Sequence, residues 1–311
     1  MKVAVSGARG FVGQRLIPLL LDAGHDPTSL VRAEPRGPND VAIGDLADIG
    51  NLRIPSVDAV IHLAARVHVM REREPEPLAA YRRVNVHGTR RLLEAALQAG
   101  ARRFLLVSTI KVLGEETAPG APFTQDSLPN PSDPYGVSKL EAEREIMEFC
   151  EKHSIDWTIV RPVLTFGRGV GGNFAQLLRL VNYQLPLPLG SISNARSLLH
   201  VANLGAFLTS AVDHAHLANR TVNLADEPAR STPDLVKALA ALMGRRARLV
   251  PVPISVLEGT AALLGRGDAV RRLTRSLQVD TAPLFREMRW RPPLSWKEAL
   301  QETIANDLRR P

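Results

Sequence analysis

The sequence predicts an α/β fold built on a doubly wound parallel sheet, and three observations lead to this class. Short β-branched runs alternate with longer helical patterns through the first half of the chain. A glycine-rich turn separates the first of these runs from the first helical pattern. After residue 162 the alternation loosens into glycine- and proline-rich stretches with short helices between them, so we expect a smaller second region there.

The candidate strands are short apolar runs bounded by glycine, proline or polar residues, at 2–6, 28–32, 41–44, 59–63, 104–108 and 157–161. Apolar residues at helical spacing predict helices from about residue 10 to 24, at 78–98, at 174–181 and at 203–212. A further strand at 221–224 is expected to return to the sheet. We therefore expect a Rossmann domain at 1–164 that also receives about 201–225, and a smaller α/β region at 165–200 and 226–311.

The composition is that of a globular chain, with 311 residues of which 45% are apolar and 23% charged. No uncharged apolar run approaches the ~18 residues of a membrane helix, and the first residues lack the long apolar stretch of a signal peptide. We therefore expect a cytoplasmic protein without membrane insertion. The single cysteine, Cys150, can form no internal disulfide, which fits a reducing compartment.

The net charge of +7, from 39 basic and 32 acidic residues, is compatible with nucleic acid, a membrane surface or a phosphorylated small molecule. Arginine pairs are scattered along the chain, and aromatic residues that could stack on bases make up only 5% of it. These features argue against a nucleic-acid partner. The eight histidines show no zinc-like spacing, so we expect no metal.

Three glycines, Gly7, Gly10 and Gly13, form a G-x-x-G-x-x-G turn between the first strand and the first helix. Such a turn lets the backbone approach a pyrophosphate, and the helix N-terminus then faces the phosphates. The alternative is a tight turn that serves only helix-to-strand packing. The position after the very first strand favours a dinucleotide site, to which Phe11 and Val12 would also contribute.

The residue that follows the second strand bears on the choice of cofactor. NAD-binding units usually place Asp or Glu about 20 residues after the glycines, whereas an arginine there suits the 2′-phosphate of NADP. This chain has Arg32, and Arg9 and Arg36 could converge on the same phosphate. Alternatively, all three are surface arginines of an arginine-rich protein. Asp45 is a candidate acceptor for the adenine amino group, and His62 is expected to be buried rather than chemical.

Tyr135 and Lys139 are four residues apart, which places them on one face if they open a helix. A phenol with a pKa near 10 is a poor base at neutral pH, and a nearby ammonium would lower its pKa towards ~7. The run that ends in Ser108 and Thr109 would place two hydroxyls beside the tyrosine. Each residue also has a structural explanation: a surface tyrosine, a solvated lysine or a helix cap. Their joint occurrence behind the glycine turn favours a catalytic site.

At these positions the sequence resembles the extended short-chain dehydrogenase/reductases, specifically the NAD-dependent family of nucleotide-sugar epimerases, dehydratases and reductases. The resemblance spans almost the whole chain. It is carried by the three glycines, residues 62–65, Asn85-Val86-His87-Gly88-Thr89, Ser108-Thr109, Tyr135 with Lys139, and Arg161-Pro162. It implies that Tyr135 is the acid/base, that Lys139 holds the nicotinamide ribose and that Thr109 is the catalytic hydroxyl. The other implied cofactor contacts are Leu46, Leu63, Ala64, Ala65, Asn85, Ser108 and Pro162.

The resemblance also implies a pocket for a UDP-linked sugar in the second region. Asn173 would meet the diphosphate or sugar, and Arg196 would clamp the diphosphate. Arg272 is the candidate for a second clamp, with Arg271 and Arg275 as competing positions. The family resemblance further implies a homodimer, formed through the helix that begins near residue 78 and the helix that carries the catalytic tyrosine.

Dehydratases of the family carry Asp-Glu directly after the active-site Thr, where this chain has Ile110 and Lys111. Neither residue replaces a carboxylate pair, which disfavours dehydration. Two reactions at C4 of a hexose remain. A 4-reductase of a UDP-4-keto-(6-deoxy)hexose would use NADP(H), which Arg32 slightly favours, whereas a UDP-hexose 4-epimerase would retain NAD. A third alternative is a non-enzymatic NADPH-sensing protein, which the presence of both Tyr135 and Lys139 disfavours.

Overall fold

A seven-stranded parallel sheet forms the centre of the computed structural model, which describes residues 1–48, 50, 52–67, 74–263, 265 and 267–305. The strands of the chain are β1 (Lys2–Ser6), β2 (Asp26–Val31), β3 (Asp40–Ala42), β4 (Ala59–His62), β5 (Arg103–Val107), β6 (Asp156–Pro162), β7 (Leu164–Phe166), β8 (Arg196–His200), β9 (Arg220–Leu224) and β10 (Asp226–Arg230). The central order is β3-β2-β1-β4-β5-β6-β9. This order is that of a doubly wound Rossmann sheet, which confirms the predicted fold class.

Helices cover both faces of this sheet and build most of the second region. They are α1 (Gly13–Asp22), α2 (Pro77–Arg82), α3 (Gly88–Gln98), α4 (Pro134–His153), α5 (Gly172–Asn182), α6 (Val201–Ala211), α7 (Thr232–Leu242), α8 (Ile254–Leu263), α9 (Gly267–Thr274), α10 (Ala282–Met288) and α11 (Trp296–Ile304). Among the helices in the described ranges, none has the length and apolar character needed to cross a membrane.

The alternation of side chains along β1 shows how the sheet separates two apolar cores. Val3 and Val5 belong to the core beneath α1 and α6, whereas Ala4 belongs to the core beneath α3 and α4. Successive strand residues point to opposite faces, so a strand buried on both sides must be apolar at every position. This requirement explains why the first-half strands are continuous apolar runs and why the sequence identifies them well.

The single helix predicted at 78–98 is divided in the structure. Helix α2 passes into one π-helical turn, Arg83–His87, before α3 begins. The hydroxyl of Thr89, at the start of α3, donates to the carbonyl of Asn85 in this turn at 2.6 Å. A π turn inserts one extra residue without ending the helix, and here it places the side chain of Asn85 in the protein interior, with 1% of the residue exposed.

The second region contains a small sheet that the sequence did not predict. Strand β8 pairs in parallel with β7 and antiparallel with β10, and a separate apolar core, which includes Phe166, Phe174 and Leu239, packs between this sheet and α5, α7 and α11. The chain returns from this region to the central sheet through β9, which pairs in parallel with β6 as expected. The assignment of 165–200 and 226–311 to substrate binding stays a prediction.

Candidate active site

The glycine turn forms a narrow cradle at the carboxyl end of β1. Gly7 has a φ of +71°, and a Cβ placed on it would lie 2.8 Å from the amide nitrogen of Ala64. A Cβ on Gly13 would lie 2.4 Å from the carbonyl oxygen of Gly7. The amide of Gly10 donates to that same carbonyl at 2.9 Å and closes the turn. Because this tight backbone leads directly into α1, the N-terminal end of that helix lies at the glycine turn, which fits a diphosphate.

The end of β4 packs against the glycine turn, and His62, the last residue of this strand, is held by two hydrogen bonds. His62 is buried, its Nδ1 lies 2.6 Å from the hydroxyl of Ser6, and its Nε2 lies 2.9 Å from the hydroxyl of Thr89. Burial and the charge of Lys139 lower the pKa of His62 to about 3, so the ring is neutral at physiological pH. His62 is therefore buried and structural, as expected. The partly exposed residues 63–65 follow it towards the cradle.

Two of the three arginines that the sequence suggested for a cofactor phosphate, Arg9 and Arg36, contact the carboxylate of Asp40. The Nη2 of Arg9 donates to the Oδ2 of Asp40 at 2.8 Å and to the carbonyl of Glu34 at 2.9 Å. Arg36 reaches the same carboxylate through its backbone amide, at 2.9 Å. Asp40 thus holds the Arg9 guanidinium next to the Arg36 backbone, and the convergence of Arg9 and Arg36 on a phosphate stays a prediction.

Arg32, by contrast, is available at the edge of the cofactor cradle. Its side chain is 78% exposed, and its Nη1 lies 3.4 Å from the Oδ2 of Asp45. The other oxygen of Asp45 accepts the amide of Ala47 at 2.9 Å in a local turn. Leu46 is buried, and a Cβ on Gly88 would lie 2.9 Å from the Leu46 Cβ, so α3 packs directly against this segment.

Tyr135 lies in the first turn of α4, whose start is fixed by its own capping residues. Asp133 is the N-cap, its Oδ1 accepts the amide of Gly136 at 2.6 Å, and Pro134 occupies the first helical position. Thr109, which lies just beyond β5, is near enough to the phenol of Tyr135 to lower its pKa. Lys139 follows one turn later and is buried. The structure thus brings together the three residues predicted to be catalytic.

The electrostatics of the tyrosine differ from the prediction. Burial raises the pKa of Tyr135, and the charge of Asp133 and the phenol of Tyr81 raise it further, while the hydrogen bond with Thr109 lowers it. The expectation that the lysine brings the tyrosine pKa towards neutrality is therefore wrong for this structure. Burial also lowers the pKa of Lys139 to about 8, so its ammonium is still largely charged at neutral pH.

A buried ion pair lies behind the site, and the sequence patterns did not identify it. Glu143, one turn after Lys139, is fully buried, and its Oε2 accepts from the Nη2 of Arg161 at 2.6 Å. The hydroxyl of Ser108 donates to the same carboxylate. Of the two hydroxyls expected beside Tyr135, the Ser108 hydroxyl is thus directed into the interior instead. The i, i+4 spacing from Lys139 along α4 was the available signal for Glu143.

Asn85 connects the end of β4 to the catalytic helix. Its Oδ1 accepts the amide of Arg66 at 2.8 Å, and its Nδ2 donates to the carbonyl of Arg66 at 3.0 Å. The same Nδ2 donates to the hydroxyl of Ser138 at 2.9 Å, and that hydroxyl donates to the carbonyl of Tyr135 at 2.8 Å. The amide therefore holds the first turn of α4 against the central sheet.

Two of the residues predicted to bind substrate lie close together in the second region. Burial lowers the pKa of Arg196 to about 10, and the charge of Arg272 lowers it further, which requires the two guanidinium groups to be near each other. The competing positions are less suitable, because Arg271 is exposed and Arg275 is bound to Glu258 at 3.0 Å. Two neighbouring, partly buried arginines repel each other, so the pair is suited to a doubly charged anion.

The third predicted substrate residue, Asn173, is half-buried in the first turn of α5. The last residue of the cofactor prediction, Pro162, ends β6 beside the other strand ends. Both positions agree with the roles that the family resemblance implies for them, and both roles remain predictions.

Comparisons with known proteins agree with this architecture. A model of the NAD dependent epimerase/dehydratase family matches residues 3–225. A UDP-glucose 4-epimerase from Vibrio cholerae is 36% identical over 307 residues, which cover 97% of this chain and 94% of that protein. A solved human epimerase family protein with NADPH has a TM-score of 0.78 at 23% identity, over 98% of this chain and 100% of its own. A UDP-glucose 4-epimerase from Thermus thermophilus, in complex with NAD, has a TM-score of 0.77 at 21% identity, over 99% of both chains.

Proposed function

The chain belongs to the NAD-dependent epimerase/dehydratase family, and on that basis we propose that it exchanges a hydride with C4 of a UDP-linked hexose. The observation that carries this proposal is the proximity of the Thr109 hydroxyl to the phenol of Tyr135, whose pKa it lowers, with the buried ammonium of Lys139 one helical turn away. A hydroxyl pair of this kind can hold one sugar oxygen from two sides, while an acid/base group exchanges its proton.

The residues present fit a nicotinamide dinucleotide. The glycine cradle, where a Cβ would collide with backbone, would hold its diphosphate, and Lys139 would hold the nicotinamide ribose. When bound, the cofactor supplies the hydride acceptor and donor and, in its oxidised form, a positive charge. A positive charge favours the phenolate of Tyr135, whose pKa burial otherwise raises. Related solved structures bind NAD in one case and NADPH in another, which supports a nicotinamide cofactor of either kind.

In this proposal each side chain has one task. Tyr135 accepts the proton of the C4 hydroxyl during oxidation and returns a proton to the C4 oxygen during reduction. Thr109 hydrogen-bonds the same oxygen and orients it towards Tyr135. Arg196 and Arg272 bind the diphosphate of the sugar nucleotide and so fix the distance from the nucleotide to the reacting carbon.

Elimination of water is not part of the proposal. Ile110 is buried, and the ammonium of Lys111 is bound by the carboxylates of Glu115 and Asp133. No acid directly follows Thr109 in the sequence, so a proton donor for the C6 hydroxyl is missing at the position where dehydratases of the family carry it.

The comparisons favour 4-epimerisation over the 4-reduction that the sequence slightly favoured. A relative that is 36% identical over 97% of this chain is a UDP-glucose 4-epimerase. The test is to incubate the purified protein with UDP-glucose or UDP-N-acetylglucosamine and to follow the anomeric protons of both C4 epimers by NMR. Formation of the epimer without net change in cofactor absorbance supports 4-epimerisation, and the absence of any C4 epimer contradicts 4-epimerisation.

Reduction remains the second candidate because of one observation at the cofactor site. The residue after β2 is the exposed Arg32 rather than an acid, which suits a 2′-phosphate and hence NADP(H). A reductase would oxidise one NADPH for each UDP-4-keto-6-deoxyhexose that it converts. Stoichiometric loss of NADPH absorbance with such a substrate, and no epimerisation of UDP-glucose, would make reduction the function of this protein.

The homodimer that the family resemblance implies also remains a proposal. It would be formed by α2, α3 and α4, and light scattering of the purified protein would measure its mass directly.

A further inference from the structure

Lys111 lies between two carboxylates at the edge of the active site. Its ammonium donates to the Oε1 of Glu115 and to the Oδ2 of Asp133. The lysine and aspartate side chains are only 21% and 19% exposed, so water screens the attraction between them less than it screens that of a surface ion pair. The lysine occupies the position of a dehydratase carboxylate, and the proposed C4 chemistry gives it no task of its own.

The partner of this lysine is the residue on which the catalytic helix begins. One oxygen of Asp133 accepts the amide of Gly136 at 2.6 Å, and the other binds Lys111. The backbone makes a second contact, since a Cβ on Gly136 would lie 3.0 Å from the carbonyl oxygen of Lys111. The short 3-10 turn after Thr109 is thus joined to the start of α4 by both side chain and backbone.

The charge of Asp133 acts on the catalytic phenol. Asp133 precedes Tyr135 by two residues, and its negative charge raises the pKa of that tyrosine. An ammonium bound to the carboxylate opposes this effect, because the pair presents a smaller net charge to the phenol than the carboxylate alone.

We propose that Lys111 is a positioning residue for the reaction at C4, which fixes Asp133 at the start of α4 and offsets its negative charge beside Tyr135. The proposal rests on the proposed function only in taking Tyr135 as the acid/base. It assigns to this lysine a task different from proton transfer to substrate. It also explains how a position that carries a carboxylate in dehydratases can carry a cation here.

Several other groups surround the phenol of Tyr135, and they are the same in the wild type and in the Lys111 variants. From α2, the ring of Tyr81 lies 6.0 Å from the Tyr135 ring, and the guanidinium of Arg66 lies 5.3 Å over the Tyr81 ring. Thr109 follows β5, and Lys139 lies on α4 itself. Substitution of Lys111 leaves all of these groups in place, so a change in the tyrosine titration reports the lysine and its two carboxylates.

Substitutions of Lys111 and of Asp133 are expected to shift the pKa of Tyr135 in opposite directions. In K111M the charge of Asp133 is no longer offset, so the pKa of Tyr135 rises by about one unit, or about tenfold less phenolate at a given pH. In D133N the pKa falls, and asparagine still caps the helix as well as aspartate does. In the double variant K111M/D133N both charges are absent, and the pKa returns towards that of the wild type. K111R keeps the cation and leaves the pKa nearly unchanged.

The experiment is a titration of the full-length protein labelled with [13C-ζ]tyrosine, in the presence of whichever of NAD⁺ and NADP⁺ it binds. The chain has three tyrosines, and the Y135F variant assigns the resonance of Tyr135. The proposal requires the ordered shifts described for K111M, D133N and the double variant. It is overturned if K111M titrates like the wild type, or if D133N does not reverse its effect.

The tyrosine titration needs no sugar substrate, so it tests the role of Lys111 independently of the proposed reaction at C4. If the tyrosine pKa follows the predicted order but no UDP-hexose is converted, the C4 assignment fails and the role of Lys111 stands. If C4 chemistry is found and K111M loses activity equally at all pH values with no change in the tyrosine pKa, the lysine serves only to hold the fold, and the proposal is wrong.

Discussion

Glu143 and Arg161 form an enclosed, two-pronged ion pair beneath the catalytic helix, with 2.6 Å between Oε2 and Nη2 and 3.0 Å between Oε1 and Nε. The pair joins α4 to the end of β6, and the Ser108 hydroxyl at the end of β5 completes it. The negative charge of Glu143 also raises the pKa of Lys139 against the larger effect of burial. The ion pair therefore supports both the position and the charge of the active-site lysine.

The first prediction concerns the stability that depends on this pair. E143M leaves the Arg161 guanidinium buried without its carboxylate, and such a loss costs about 3–5 kcal/mol of unfolding free energy. The double variant E143M/R161M, which buries no charge, is expected to recover most of that loss. Urea unfolding measures both. The control is E145Q on the same helix, which removes a more exposed pair with Arg90 and is expected to cost about 0–1 kcal/mol. Equal losses in E143M and E145Q would contradict the account.

The second prediction concerns the cofactor cradle. G7A is expected to weaken dinucleotide binding by at least about tenfold, because the new Cβ would lie 2.8 Å from a backbone nitrogen and must displace the turn. Gly24 has a similar φ of +78° but no heavy atom within 4 Å of its Cβ position, so G24A is a matched control for backbone strain alone. Isothermal titration with NAD⁺ and NADP⁺ measures both variants. Equal affinity of G7A and G24A would show that the turn does not hold the cofactor.

The third prediction concerns the choice between NAD and NADP. If Arg32 binds the 2′-phosphate, R32A weakens NADPH binding by about 10- to 100-fold and leaves NADH binding unchanged. This loss corresponds to the contribution of one charge-assisted hydrogen bond. R53A, at an exposed arginine outside the predicted cofactor contacts, is the control and is expected to change neither affinity. Fluorescence titration of both reduced cofactors measures the ratio. A wild-type protein that prefers NADH, with no effect of R32A, would remove the argument for reduction.

The fourth prediction follows from the sign of the Lys139 pKa shift. Burial lowers this pKa to about 8 in the folded protein, from 10.5 in the unfolded chain. The unfolded state therefore binds more protons between about pH 8 and pH 10.5, and the contribution of Lys139 to stability rises with pH across that window by about 3 kcal/mol. The unfolding free energy of the wild type relative to K139M should show this rise. The exposed K237M serves as control, and a flat difference for K139M would contradict the pKa direction.

The central sheet and the placement of Tyr135 and Lys139 on one helix could be predicted because their signals are local. A buried parallel strand must be apolar at every position, and Tyr135 and Lys139 are spaced by one helical turn. The small sheet of the second region gave no such signal. Its strands are short, and β8 and β10 carry Arg196 and Asp226 within them, so neither an apolar run nor regular alternation marks them.

The charged support of the site could not be predicted for a different reason. Glu143 lies among several glutamates of one helix, and its spacing from Lys139 does not reveal that it pairs with Arg161, 18 residues away. The pairing of Lys111 with Asp133, 22 residues along the chain, is equally non-local. The raised pKa of Tyr135 could not be predicted either. It results mainly from burial, and the burial of a side chain depends on elements that are distant in sequence.

Tyr135 is proposed to exchange a proton with the C4 hydroxyl of a UDP-hexose. The most direct test compares wild type and Y135F in the conversion of UDP-glucose or UDP-N-acetylglucosamine to its C4 epimer, with a UDP-4-keto-6-deoxyhexose and NADPH as a parallel substrate pair. We expect C4 conversion by the wild type and a loss of about 10²-fold or more in Y135F, with cofactor affinity retained. Conversion by Y135F at the wild-type rate, or no change at C4 of any of these substrates by the wild type, would contradict it.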